Sequence, residues 1–65
     1  MDNEMFGLYL LDTLTQYLPV DRNHLGIGYF AGKKIVREFC AKYNYNYHRG
    51  MAVLLDYLLA GAPAN

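Results

Sequence analysis

The sequence predicts an all-α domain of three helices, over residues 3–18, 24–43 and 48–60, assembled as a homodimeric helical bundle. Three observations lead there. Apolar residues recur at spacings of three and four in each segment. Pro19, the Tyr-Asn alternation of residues 43–47 and Gly61-Ala62-Pro63 punctuate the segments. The 65-residue chain is 54% hydrophobic but has one cysteine, Cys40, so it can form no internal disulfide. A chain this short buries only about 60% of the surface its unfolded form exposes. Small scaffolds therefore lean on a disulfide, a metal or a partner chain. No Cys-x-x-Cys or His-x-x-x-His spacing is present, so we expect no metal and no cofactor. A second copy is the remaining staple, and residues 1–65 form one small domain.

In the first helix, Phe6, Leu10, Leu14 and Tyr17 make one apolar stripe; Leu8, Leu11 and Leu18 make a second beside it. Asp2 or Asn3 can cap its start, and Glu4 suits the first turn. Pro19 ends it, because the residue before proline avoids the α region. Asp21 or Asn23 can cap the second helix. Its apolar side carries Leu25, Gly28, Gly32, Ile35, Phe39 and Tyr43, widened by Val36 and Cys40. Lys33, Lys34, Arg37, Glu38, Ala41 and Lys42 lie largely opposite. Residues 43–50, Tyr-Asn-Tyr-Asn-Tyr-His-Arg-Gly, read as a loop, since Asn favours turns and left-handed conformations. The third helix has Met51, Leu54, Leu55 and Leu58 on one face, while Val53, Tyr57 and Leu59 leave little room for a solvated one. Gly61 then Pro63 suit a helix stop.

The glycines of the second segment invite three explanations. Gly26-Ile27-Gly28-Tyr29-Phe30-Ala31 matches a dinucleotide fingerprint literally. That motif needs a preceding strand and an acid about 20 residues on, and both are missing. A strand over 25–30 followed by two helices would be the layout of ribbon-helix-helix regulators, but Gly26 and Gly28 stand where base-reading donors belong. Helix packing fits best. Gly28 and Gly32 share one helix face and let another backbone approach, continuing into Ile35 and Phe39. With Phe6, Leu10 and Leu14 they form the expected packing and dimer surface.

Gly28-Tyr29-Phe30-Ala31-Gly32, Ile35-Val36 and Glu38-Phe39 resemble an early helix of the TRAPP vesicle-tethering subunits and of bacterial 4-vinyl-reductase-type domains. The stretch around Glu4, Met5, Phe6 and Leu8 is similar to the helix before it. Those domains are much longer and carry a sheet, which this chain has no residues to build. The resemblance implies a shared helix-pairing device used in dimerisation, and no site residues.

Six Lys and Arg balance six Asp and Glu, so net charge is zero. Nucleic-acid binders gain most of their affinity from phosphate neutralisation and run basic. No basic leader and no apolar run of about 20 residues occurs, so we expect neither secretion nor a membrane span. A lone thiol fits a reducing, cytoplasmic setting. Cys40 and His48 lack an orienting third group for nucleophilic chemistry, and we expect no enzyme and no small-molecule substrate. Tyr43, Tyr45, Tyr47, His48 and Arg49 are the expected partner-binding residues, because tyrosine and arginine are enriched at binding hot spots. Lys33, Lys34, Arg37 and Arg49 are the best nucleic-acid contacts on offer. The expected role is a non-catalytic protein-interaction module: an adaptor, inhibitor or assembly factor. The alternative is a small dimeric DNA-binding regulator of ribbon-helix-helix or helix-turn-helix type.

Overall fold

A computed structural model describes residues 3–18 and 25–61 of the chain. The described residues form three helices and no strand: α1 over Asn3–Tyr17, α2 over Leu25–Tyr43 and α3 over Tyr47–Gly61. The caps expected at Asp2, Asp21 and Asn23, the stop at Pro19 and the tail from residue 62 lie outside the described residues.

Leu25–Phe30 is helical. The strand alternative is therefore corrected, and with it the ribbon-helix-helix layout. The glycines disfavour helix by about 1 kcal/mol each, and packing offsets this. A Cβ on Gly32 would collide with Leu54 Cδ1 and lie 2.9 Å from Leu18 Cδ2. On α3, a Cβ on Gly50 would meet Val36 Cγ1 at 2.8 Å and Cys40 Sγ at 2.9 Å. Gly32 on α2 and Gly50 on α3 thus let these two helices close on each other.

The core takes Leu10 and Leu14 from α1, Leu18 just beyond it, Val36, Phe39 and Cys40 from α2, and Leu54 and Leu58 from α3. Leu10, Leu14, Val36 and Leu54 are fully buried. The third helix closes this core, packing on both others and most extensively on α2, while α1 and α2 touch each other least. Tyr57 on α3 donates its O–H to the Leu18 carbonyl at 2.5 Å, tying α3 to the end of α1.

The turn between α2 and α3 is tighter than the sequence suggests. Asn44 takes the left-handed conformation with φ of 53°. Tyr45 N–H then donates to the Cys40 carbonyl at 3.1 Å, the long bond of a Schellman stop. One residue later, Asn46 Oδ1 accepts from Arg49 N–H at 3.1 Å and caps α3. The two asparagines do separate jobs, and α3 starts at Tyr47 rather than 48.

Candidate functional site

The Schellman stop decides where the tyrosines go. It folds Tyr45 back over the last turns of α2, and Tyr45 is only 8% exposed. Tyr45 was expected to meet partners; it belongs to the core instead. Its ring lies 5.5 Å from Phe6 and 6.0 Å from Phe39. Tyr43 is half-buried beside them, 4.7 Å from Phe39, and Tyr9 of α1 completes the cluster at 5.6 Å from Phe39. Tyr47, His48 and Arg49 are exposed on the first turn of α3.

A groove of about 660 Å³ runs between α1 and α2. Asp12 and Gln16 line it from α1, Lys34, Glu38 and Lys42 from α2, with Ile35 and Phe39 also in its wall. The Tyr9 and Tyr43 hydroxyls meet across it at 3.2 Å. That hydrogen bond raises the Tyr9 pKa and lowers that of Tyr43, which the Lys42 ammonium, 5.3 Å from the Tyr43 ring centre, lowers further. Tyr43 is therefore the phenol that ionises first, and once it has, Tyr9 is the donor of the pair. Two phenols and mixed charges make a polar seam. Burial pushes the Cys40 thiol pKa up, and Cys40 points its Sγ at the Asn46 carbonyl, 3.8 Å away, inside the core. Among the described residues no three His, Cys, Asp or Glu side chains gather to hold a metal ion.

The second cleft, of about 400 Å³, lies between α1 and α3. Gly7, Leu8, Leu11 and Val53 line it, and among the described residues its charged groups are Glu4 and Asp56. Leu8 is 64% exposed. Leu8 and Leu11 share a second apolar stripe with Leu18 in the sequence, yet only Leu18 is buried. The stripe was visible; which part of it meets solvent was not.

Leu10, Leu14, Gly32 and Phe39 are buried within the single chain, so this part of the expected dimer surface is not open to a second copy. Phe6, Gly28 and Ile35 are half-buried at its margins. Lys34 and Arg37 are exposed on the outer side of α2, with Lys33 half-buried beside them. Phe30 stands among them, 75% exposed, and the sequence reading gave it no binding role. Charge is unevenly spread: α2 carries Lys33, Lys34, Arg37 and Lys42 beside the one acid Glu38, α3 carries Asp56 and Arg49, and Glu4 and Asp12 are on α1.

In comparisons with known proteins, no family model, no curated protein and no solved structure matches the chain. No helix among the described residues is long and apolar enough to cross a membrane.

Proposed function

We propose that the protein is a non-catalytic protein-interaction module, a small adaptor, inhibitor or assembly factor. One observation carries this. The core is already closed within one chain, yet Leu8, Leu11, Phe30 and Leu59 remain on the outside. Contiguous exposed apolar surface marks interaction sites, and Leu8 and Leu11 share one cleft. The Leu8–Leu11 cleft, with Val53 at its base, is the apolar hollow such a contact needs.

The test is affinity capture of the tagged protein from its native cells, with nuclease, beside a Leu8→Glu/Leu11→Glu variant that keeps its helical circular dichroism. A discrete protein bound by the wild type and lost by the variant supports the module. Recovery of nuclease-sensitive nucleic acid alone overturns it.

The basic side of α2 favours a second reading, a DNA-binding regulator. In a helix-turn-helix, α3 would be the recognition helix. Beyond Arg49 its exposed positions are Ala52, Leu55, Asp56, Leu59 and Ala60, which offer base edges no donor. Phosphate contacts through Lys34 and Arg37 would weaken steeply with salt, whereas an apolar protein contact would not.

A further inference from the structure

We infer that the α1/α3 cleft of one copy receives the outer ridge of α2 from a second copy, head to tail. This deepens the interaction-module reading and rests on it, by naming one partner: the chain itself. The two surfaces match in shape class and in charge. The cleft presents Leu8, Leu11 and Val53 together with the Glu4 and Asp56 carboxylates. The ridge presents Phe30 as an apolar knob, with Lys33, Lys34 and Arg37 around it; Glu38, one turn on from Lys34, lies toward the α1–α2 groove. Phe30, Lys33, Lys34 and Arg37 sit at i, i+3, i+4 and i+7, so they share one helix face.

No described residue of α2 lines the cleft, so the ridge of a chain does not enter its own cleft. The ridge must come from another molecule. A two-fold contact is disfavoured on either surface. Cleft against cleft would set Glu4 and Asp56 against their own copies, and ridge against ridge would oppose Lys34 and Arg37 to bases. Ridge into cleft pairs opposite charges around an apolar anchor, the arrangement that fixes register and suppresses wrong partners. Zero net charge removes the overall repulsion that keeps small proteins apart. Because the two surfaces differ, the contact is heterologous. It leaves one cleft and one ridge open at the ends of each assembly, so growth continues unless a ring closes.

The experiment is sedimentation velocity on the purified full-length chain over a range of concentrations, at low and at high salt. Three variants accompany it: a cleft reversal, Glu4→Lys/Asp56→Lys; a ridge reversal, Lys34→Glu/Arg37→Glu; and Phe30→Ser. All three changes are at the surface, and circular dichroism checks that each stays helical. The wild type is expected to grow beyond a dimer with concentration, less so in high salt. Each variant alone is expected to stay monomeric. An equimolar mixture of the two reversals is expected to associate again, because each altered surface then meets its complement. A wild type monomeric at every concentration overturns the inference. So does a dimer that both reversals leave intact, or a mixture that fails to recover. A monomeric wild type that still captures another protein through Leu8 and Leu11 overturns self-association alone and leaves the module standing. A monomer that binds a DNA duplex through Lys34 and Arg37 removes both.

Discussion

The α2–α3 joint and the α1–α2 groove are built from the same kind of helix and end up unlike each other. At the joint, Gly32 and Gly50 let side chains of one helix press on the backbone of the other, and Leu54 disappears entirely. At the groove, the facing residues are tyrosines, lysines and carboxylates, and about 660 Å³ stays open. The smallest side chains set how near two helices come. The larger, polar ones hold a seam apart.

Breaking the joint should therefore cost far more than breaking the seam. Leu54→Ala empties a fully buried site, and a loss of about 2–5 kcal/mol is expected in urea unfolding. Gly50→Val drives methyls toward Val36 Cγ1 and Cys40 Sγ, two short side chains with nowhere to retreat. Overpacking of this kind costs about 1–3 kcal/mol, read in the same experiment. At the turn that ends the joint, Asn46→Ala removes the α3 cap and should lose about 1 kcal/mol. Asn44→Gly should be tolerated there, because glycine accepts the left-handed conformation at no steric cost.

In the seam, Tyr9→Phe deletes one exposed hydrogen bond and should leave the urea midpoint almost unchanged. Its signature is spectroscopic. Without the Tyr9 hydroxyl donating to it, Tyr43 should ionise at higher pH, seen as a later rise in phenolate absorbance. The joint has its own titration. The Cys40 pKa is raised in the folded state, so the unfolded chain loses that proton first. Its contribution to stability is complete below the unfolded value of about 8.5 and falls as pH climbs toward the folded one. Iodoacetamide should modify Cys40 slowly in the native protein and quickly in urea, and equal rates would mean the thiol is not buried.

Much of the joint was legible in the sequence. Period 3.6 exposed the three helices, and the pair Gly28 and Gly32 announced a close helix contact. What periodicity did not carry was the identity of the neighbour. Gly32 meets Leu54 and Leu18 of its own chain, where a second copy was expected. Tyr45 was misplaced for a related reason. An alternation of Tyr and Asn looks like a solvated loop until Asn44 is known to be left-handed and to turn Tyr45 inward. Leu8 and Leu11 share a stripe with Leu18, but three helices supply only so many buried faces. Which leucine stays outside depends on where α3 lies, and that is a tertiary fact. The exposed part of α2 was readable as a basic face; its apolar knob, Phe30, was not singled out.

In the function proposed above, one chain closes its own core and keeps its remaining apolar surface for contact. The most direct test is urea unfolding of the Lys34→Glu/Arg37→Glu variant at two protein concentrations about a hundredfold apart, because a folded state that needs a partner has a concentration-dependent midpoint. The same midpoint is expected at both. A midpoint that climbs with concentration would mean that Leu10, Leu14 and Leu54 need a second chain to stay buried, and would contradict a core closed by one chain.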